Sequence, residues 1–206
     1  MTQVDKKAYE LGAYSNPARW VSYYHQLRLA LSFSPRSILE IGVGDKVFGS
    51  YIRQNTGIAY TGADYDASVS PDVVADAAKL PFKDRQFDIV CAFEVLEHIP
   101  FDRFETVLIE LARVSKGRLL ISVPHFGPPV KFSLKLPFIP EVKLAWKIPW
   151  PVAHVFNGQH YWEIGKKGYS IGHVRNILRK RFDILQDFLP YENQYHHFFV
   201  LEAKKP

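Results

Sequence analysis

The sequence predicts an α/β fold built on a doubly wound sheet of seven strands, parallel except for the last. Short apolar runs bounded by Gly, Pro or Asp alternate with segments of helical periodicity, as is typical of parallel sheets. The first run, Ile38 to Ile41, breaks into Gly42 and Gly44, a strand-to-helix turn that lets the backbone approach a ligand. The final run follows its predecessor after about nine residues without a helix, so it should be antiparallel.

Length and composition indicate one globular domain over residues 1–206. A chain of 206 residues with 47% hydrophobic side chains can bury a core, and no segment reaches the ~18 apolar residues that a membrane span needs. The N-terminus has no apolar run after its charged residues, so no signal peptide is expected, and the single cysteine, Cys91, excludes an internal disulfide. These features indicate a cytoplasmic protein and leave its oligomeric state open.

The net charge of +5 is mild for this length. It allows an anionic acceptor or surface but does not require nucleic acid. No RNA-binding module is recognised, so a nucleic-acid partner is not expected.

The first 34 residues are expected to form an N-terminal helical segment. Residues 1–16 are polar and expected to be loosely ordered, and Pro17 can occupy the first turn of a helix that ends before Pro35. Apolar side chains recur at helical spacing along it, namely Trp20, Tyr24, Leu27 and Leu31. This helix can pack on the sheet edge or cover the ligand site.

Helices and strands then alternate along most of the chain. A helix is predicted over 46–53, followed by strands over 58–64, 72–75 and 87–93. Asp102 is predicted to cap the next helix, and Gly117 lies just past its end. A strand over 118–123, a helix over 168–180 and strands over 182–188 and 197–203 complete the pattern. The last strand is apolar on both faces, which places it inside the sheet.

Residues 125–160 interrupt this rhythm with prolines, aromatic side chains and lysines. The proline density excludes one long helix, and the aromatic content argues against disorder. We expect a long irregular insertion that acts as a lid at the carboxyl ends of the strands, where open α/β sheets bind ligands. Its composition suits a planar or apolar acceptor that carries a phosphate or carboxylate, or peripheral contact with an anionic membrane that supplies a lipid-linked acceptor.

The residues after the glycine turn restrict which nucleotide cofactor the site can bind. A dinucleotide fingerprint needs a glycine or alanine three positions after Gly44, where this chain has Val47. Asp64 ends the second strand, and its carboxylate can accept hydrogen bonds from both hydroxyls of a ribose. A dehydrogenase is therefore the weakest interpretation of the fold.

The ordered motifs between about residue 36 and residue 124 resemble the class I S-adenosylmethionine-dependent methyltransferases of the type 11 group. They are Ile38-Leu-Glu40-Ile-Gly42-Val-Gly44, Thr61-Gly-Ala-Asp64, Asp76-Ala-Ala-Lys-Leu80-Pro-Phe82, Phe87-Asp88, Glu94-Val-Leu-Glu97-His98 and Arg113-Val-Ser. The resemblance implies a Rossmann-like sheet of seven strands with the last antiparallel, in agreement with the pattern above.

The same resemblance implies where S-adenosylmethionine binds and S-adenosylhomocysteine is released. Glu40, Gly42 and Gly44 would hold the methionine end, and Asp64 would hold the ribose. Asp76 and Ala77 would frame the adenine, and Leu80 and Phe93 would supply apolar walls. Lys46 departs from the family, which often has a third glycine there, so its side chain can tilt the loop or lie over the cofactor.

Histidines provide the candidate base for a hydroxyl or amine acceptor, because a base with a pKa near 7 suits that proton transfer. His125 directly follows the fifth strand and is the first choice, and His160 is the second. The alternative for His125 is a surface histidine that anchors the insertion. Cys91 lies in the middle of a strand and is interpreted as a core residue.

As an alternative, the same region can bind a divalent metal ion. If Glu94-Val-Leu-Glu97-His98 is helical, Glu94, Glu97 and His98 share one face. Oxygen and imidazole ligands suit Mg²⁺, Mn²⁺ or Zn²⁺. The pattern is similar to the metal site of small-RNA 2′-O-methyltransferases and quinone O-methyltransferases, and His160-Tyr-Trp-Glu163 matches the context of the later histidine in the RNA enzymes. The same signature also occurs in type 11 enzymes with no known metal.

The sequence therefore favours a methyltransferase that acts on a small or lipid-like acceptor, at oxygen rather than nitrogen or carbon. A metal-assisted enzyme for a 2′-O or catechol-type acceptor is the second hypothesis. A non-catalytic methyltransferase-like scaffold is the third, with Lys46 as its only support. His98 joins His125 and His160 as candidate catalytic residues, and the metal ligands stay undefined.

Overall fold

The computed structural model describes residues 16–204, so the expectation for residues 1–15 lies outside the described part of the chain. The helices are α1 (Pro17–Leu31), α2 (Val47–Asn55), α3 (Phe104–Val114) and α4 (Ile171–Arg179). The strands are β1 (Ser37–Ile41), β2 (Ala59–Asp64), β3 (Val73–Val74), β4 (Phe87–Phe93), β5 (Ser115–Pro124), β6 (Pro129–Leu134), β7 (Val142–Lys147), β8 (Phe182–Phe188) and β9 (His196–Ala203). Among these residues, no helix is long and apolar enough to cross a membrane.

The main sheet has seven strands in the order β3-β2-β1-β4-β5-β9-β8. Strands β1 to β5 pair in parallel, whereas β9 is antiparallel to both β5 and β8. The predicted fold class is confirmed, including the interior position of the antiparallel strand. Strand β9 buries Phe198 and Val200 in one core cluster and Phe199 and Leu201 in the other, as its apolarity on both faces predicted.

The helices cover both faces of the sheet. On one face, Leu29 of α1 and Phe48 and Ile52 of α2 pack with Ile38 of β1. On the other, apolar side chains of α3 and α4 pack with Leu39 and Ile41, namely Val107, Leu108, Leu111, Val174 and Leu178. Because both faces are covered, only the edge at the carboxyl ends of the strands is left for a ligand site.

Helix α1 buries only part of the apolar row predicted from the sequence, because Leu27 and Leu31 pack against the core but Trp20 and Tyr24 do not. Trp20 and Tyr24 are 50% and 62% exposed, whereas Tyr23 and the polar Ser22 and Gln26 are buried. Ser22 Oγ lies 2.6 Å from His196 Nδ1, so polar partners offset the cost of burying this face. Apolar periodicity therefore identified the helix and the contact of its C-terminal half with the core, but not the burial of Ser22, Tyr23 and Gln26 in place of Trp20 and Tyr24.

Two local predictions around α3 are also wrong. Asp102 does not cap α3, because a 3₁₀ turn over Phe101–Arg103 precedes the helix and Arg103 takes the capping position without a side-chain bond. Gly117 lies inside β5, at φ +138°, because β5 already begins at Ser115.

The insertion at 125–160 contains regular structure that the sequence did not predict. Strands β6 and β7 form an antiparallel hairpin, and the remainder of the insertion is irregular. Its prolines lie mostly outside the paired strands, so they delimit the hairpin rather than disrupt it.

Candidate active site

The sheet register brings five strand ends to one edge. Ile41 of β1 aligns with Ala63 of β2 and Ala92 of β4, so these strands end level with one another. Strand β9 is antiparallel and therefore begins at the same edge, where His196 aligns with Pro124 of β5. Residues after β1, β2, β4 and β5 and residues at the start of β9 consequently share one cleft.

The glycine turn after β1 requires a residue without a side chain. Gly42 has φ +78°, and a Cβ there would lie 2.2 Å from Cγ2 of Val95. The Gly42 N–H donates to Ala63 O at 2.8 Å, and the Val43 N–H donates to Asp64 Oδ2 at 2.9 Å. The carboxylate that ends β2 is therefore bonded directly to the turn that ends β1.

A small cavity lies over this turn. It contains four predicted cofactor residues, namely Glu40, Gly42, Gly44 and Phe93. Helix α1 closes it with Arg19, Tyr23 and Gln26, and the Tyr23 hydroxyl donates a hydrogen bond to Asp45. Helix α1 therefore packs against the sheet and also covers this cavity.

The three α1 residues of this cavity were not among the residues predicted to bind the cofactor. Arg19, Tyr23 and Gln26 are spaced i, i+4 and i+7, so they form one row along the helix. This row of polar and aromatic side chains along one side of the helix was the signal that could have identified them.

Glu40 is a buried acid within this cavity. Burial raises its pKa to about 8, although a hydrogen bond from the Tyr60 hydroxyl opposes that shift. Its carboxyl is therefore protonated at neutral pH when no cation is nearby. A cationic group that enters the cavity would favour the ionised form.

The other predicted cofactor residues lie farther along the edge. Asp76 accepts a hydrogen bond from the Ala78 N–H at 2.9 Å and pairs with Arg103 at 2.8 Å. Ala77 and Leu80 are buried in the core cluster that also contains Ala63. These three residues do not belong to the cavity over the glycine turn.

Lys46 does not line that cavity. Its backbone has φ +65°, which glycine adopts without strain, and it precedes α2. Its Nζ donates to Ser70 O at 2.9 Å, so the side chain lies against the segment after β2 rather than over the turn.

His98 and His160 come together with Glu97. Their ring centroids are 4.9 Å apart, and one ligand atom from each of these three residues lies within 4.8 Å of the others. His98 Nδ1 contacts Gln159 O at 3.0 Å, and His160 Nδ1 contacts Glu163 Oε1 at 2.9 Å. Because both partners accept hydrogen bonds, the Nδ1 atom of each ring carries a proton and donates to its partner.

The acids beside these histidines are deeply buried. Burial and the neighbouring Glu94 raise the pKa of Glu97 well above its usual value, and both of its side-chain oxygens lack a hydrogen-bond partner within the described residues. Burial also lowers the pKa of His98 to about 4. The three groups are therefore suited to a cation, which would stabilise the ionised carboxylate.

Glu94 does not share one helical face with Glu97 and His98, although the sequence predicts this for a helical segment. It has φ +54°, and only Leu96–His98 forms a 3₁₀ turn. Its Oε2 lies 3.3 Å from His196 Nε2, so this acid pairs with the start of β9.

His125 belongs to a second group of polar side chains. His125 Nδ1 lies 2.8 Å from His197 Nδ1, and His197 Nε2 lies 2.6 Å from Asp187 Oδ1. Arg175 binds Asp187 through Nε at 2.6 Å and Nη2 at 3.0 Å. Because the carboxylate only accepts, His197 donates from Nε2 and accepts at Nδ1, and His125 donates from Nδ1. This leaves the Nε2 lone pair of His125 available.

Burial and nearby positive groups set the charges in this second group. Burial, followed by His197 and Lys147, lowers the pKa of His125 to about 3. Burial would raise the pKa of Asp187, but hydrogen bonds from His197 and Arg175 hold it well below its usual value. His125 is therefore neutral and Asp187 is ionised at physiological pH.

His197 and Asp187 were missed by the sequence analysis. Both strands β8 and β9 were predicted, and the antiparallel direction of β9 already implied that its first residues lie at the ligand edge. His197 of β9 aligns with Val123 of β5, and this register between the two strands is known only from the structure.

A family model of the type 11 methyltransferase domain matches residues 39–121. A search of curated proteins finds no match. Among solved structures, Burkholderia thailandensis 1,6-didemethyltoxoflavin-N1-methyltransferase with bound 1,6-didemethyltoxoflavin and S-adenosylhomocysteine is similar at 16% identity. That likeness covers 93% of this chain and 80% of the other, with a TM-score of 0.62.

Two further solved structures show the same fold. Synechocystis magnesium protoporphyrin IX methyltransferase with bound S-adenosylmethionine is 13% identical over 91% of this chain and 80% of that one, with a TM-score of 0.57. A Haloferax volcanii protein in complex with the Trm112 methyltransferase activator is 14% identical over 92% and 93%, with a TM-score of 0.57. Residues 39–121 therefore match the type 11 methyltransferase domain, and the seven-stranded sheet with β9 antiparallel is the fold that these solved structures share with this chain.

Proposed function

We propose that this enzyme transfers the methyl group of S-adenosylmethionine to an oxygen atom of a small or lipid-like acceptor. The observation that carries the proposal is the cavity over the glycine turn, which presents a carboxyl from Glu40 and a guanidinium from Arg19. An amino acid zwitterion offers the complementary ammonium and carboxylate groups. The sulfonium supplies the activated methyl group, and the protein binds and orients the two reactants.

The cofactor roles follow the order of the strands. Glu40, Gly42 and Gly44 hold the methionine end, and Asp64 holds the ribose beside the turn that it supports. Asp76 and Ala77 frame the adenine, with Arg103 next to Asp76 at 2.8 Å. The apolar walls come from Leu80 and from Phe93, which lines the cavity.

The test of this proposal is a calorimetric titration with S-adenosylhomocysteine, and Glu40 gives it a specific signature. Between pH 6 and 7.5 the free protein holds a proton on Glu40, because its pKa is about 8. Binding an ammonium group favours the carboxylate, so we expect proton release and an affinity that rises by roughly tenfold per pH unit. Titrations in buffers of different ionisation enthalpy measure the released proton.

Two variants check the assignment. Glu40→Gln should bind more weakly and release no proton. Tyr60→Phe removes the hydrogen bond that favours the Glu40 carboxylate, so its proton release should extend to higher pH. No binding of S-adenosylhomocysteine would contradict the proposed function, whereas binding without proton release would contradict only the role of Glu40.

We propose His125 as the base that accepts the proton of the acceptor hydroxyl. It is neutral at physiological pH, and its free Nε2 lone pair can take the proton. His125 can then pass the proton on its Nδ1 to His197 at 2.8 Å, so that the positive charge lies beside Asp187. Burial makes His125 a weak base, but this is offset because the positive charge moves on to His197 and does not stay on His125. His160 and His98 are the other candidates for this role.

A second candidate function is metal-assisted methylation of a 2′-O or catechol-type acceptor. Glu97, His98 and His160 favour it, because the Nδ1 atom of each histidine is held by an acceptor, as in ligating histidines of known metal sites. The unpartnered oxygens of Glu97 provide a further donor for the ion. When bound, a divalent ion would polarise the acceptor oxygen.

Titration with Mg²⁺, Mn²⁺ and Zn²⁺ tests this second candidate. If it is correct, one ion binds per chain with S-adenosylhomocysteine present, and the site is lost in His98→Ala and in Glu97→Gln. His173→Ala, at an exposed histidine of α4, is the matched control and should bind normally. No heat of binding for any of the three ions would rule out the metal-assisted function and leave the first proposal unaffected.

A further inference from the structure

The β6–β7 hairpin has one apolar face and one basic face. Strand alternation and the antiparallel register place apolar residues opposite one another, namely Val130 with Trp146, Phe132 with Leu144 and Leu134 with Val142. The opposite face pairs Pro129 with Lys147, Lys131 with Ala145 and Ser133 with Lys143. The hairpin is therefore amphipathic across its thickness.

The basic face lies against the body of the protein. Lys143 Nζ is 2.8 Å from Glu192 Oε1, and Lys131 Nζ lies 3.3 Å from Glu192 O. Lys147 donates to the backbone oxygen of His125. These contacts turn the apolar face of the hairpin away from the body and towards solvent.

The apolar face is exposed over most of its length, with Val130 half-buried at one end. Leu134 is 45% exposed and Leu144 is 54% exposed, and Phe132, Val142 and Trp146 lie between these values. The connection between the strands adds Leu136, Ile139 and Phe138, the last of which is fully exposed. A continuous apolar surface of this kind on a soluble fold marks an interaction site.

The charge of the segment selects an anionic partner. Residues 125–160 carry four lysines and one acid, and that acid, Glu141, is bound to Ser133 and lies 3.6 Å from Lys143. Lys131, Lys135 and Lys147 donate hydrogen bonds to backbone oxygens. Because these oxygens carry no net charge, the contacts do not neutralise the positive charges of the lysines. Lys131, Lys143 and Lys147 lie on the face opposite the apolar one, whereas Lys135 lies in the connection beside the exposed Leu136.

The ends of the hairpin disfavour strand pairing with another protein. Pro129 begins β6, Pro137 and Pro140 lie in the connection, and Pro149 follows β7 shortly after its end. Proline removes backbone donors and is found on strands that resist further pairing. Exposed aromatic side chains such as Trp146 and Trp150 suit the interfacial region of a bilayer.

We infer that the hairpin docks this protein on the surface of an anionic lipid bilayer, with its apolar face in the headgroup region. The hairpin is bonded through Lys147 to His125, which lies at the ligand edge of the sheet. Docking would therefore bring the cleft close to the lipid surface. The inference does not depend on methyl transfer or on the identity of the acceptor.

Co-sedimentation with vesicles tests the inference on the full chain. We expect binding to vesicles of equal parts phosphatidylcholine and phosphatidylglycerol, weaker binding to phosphatidylcholine alone, and weaker binding in high salt. Leu144→Ser should lower the partition coefficient by roughly tenfold. Leu185→Ser, which changes a similarly exposed leucine (48%) on β8, should not alter it.

A charge variant examines the electrostatic part separately. Lys135→Gln should weaken binding to the anionic vesicles by about fivefold, whereas Lys83→Gln, at an exposed lysine outside the insertion, should have no effect. S-adenosylhomocysteine titration of each variant verifies that the cofactor site is intact.

Two results would overturn the inference. The first is equal binding of wild-type protein and Leu144→Ser to anionic vesicles, or no binding by either. The second is a doubled molar mass in light scattering that Leu144→Ser returns to the monomer value, which would assign the apolar face to a second copy of the chain.

Discussion

Replacing Gly42 with alanine is expected to weaken S-adenosylhomocysteine binding by roughly 100-fold, or about 3 kcal/mol. The added Cβ would lie 2.2 Å from Val95 Cγ2, and the backbone at φ +78° disfavours any residue with a side chain. A valine on a fixed backbone cannot rotate away easily, because it is stiff at χ1. The turn must therefore move, and its N–H groups and Glu40 move with it. Isothermal titration measures the loss.

The chain offers a matched control for backbone strain. Gly168 has φ +89°, and a Cβ there meets no atom within 4 Å. Gly168→Ala should lower stability slightly and leave cofactor affinity unchanged. Adding Val95→Ala to Gly42→Ala removes the clashing methyl group and should restore part of the affinity. Wild-type affinity in Gly42→Ala would show that the cofactor does not contact this turn.

The sheet was predictable because its strands combine strong local signals. Ile38 to Ile41 and Phe87 to Phe93 are short apolar runs that end in turns, and β9 is apolar on both faces. The absence of a helix between β8 and β9 required the antiparallel direction. The four candidate cofactor residues that line the cavity come together because the motifs that contain them occupy strand ends that the fold brings to one edge.

What could not be predicted depends on contacts between distant residues. Ser22 and Gln26 are buried because α1 packs on β9 and on the glycine turn, and no local pattern indicates that partner. His197 was interpreted only as the start of a strand, since its contact with His125 depends on the β5–β9 register. The hairpin was not predicted because most of the apolar residues of β6 and β7 are exposed. An apolar pattern in a strand is usually interpreted through its contacts with the core, and in the described part of the chain this hairpin face has none.

The proposed catalytic role of His125 makes a prediction that separates chemistry from structure. His125→Gln is expected to lower kcat by about 10²–10⁴-fold, the range that general base catalysis contributes, with cofactor affinity retained. Since burial lowers the pKa of His125 to about 3, its base form persists as pH falls. At saturating cofactor, kcat should therefore stay level from pH 8 down to pH 5, where an ordinary histidine of pKa 6.5 would already be protonated.

Asp187→Asn then tests the relay behind that base. Asparagine can still accept the hydrogen bond from His197, so the orientation of both rings is kept, but it cannot stabilise a positive charge on His197. We expect kcat to fall by at least about tenfold while KM changes little, because the lost interaction forms only as the proton moves. His173→Gln, at an exposed histidine of α4, serves as the control and should leave kcat unchanged.

The outcomes of these two variants distinguish a relay from a structural role. If Asp187 only anchors β8 through Arg175, at 2.6 Å, Asp187→Asn should reduce stability and leave kcat of the folded protein unchanged. If His125 only anchors the insertion through its backbone oxygen and Lys147, His125→Gln preserves that contact and should be fully active. A loss of kcat in both variants, with normal S-adenosylhomocysteine affinity, requires that the proton leave the acceptor through His125 towards His197.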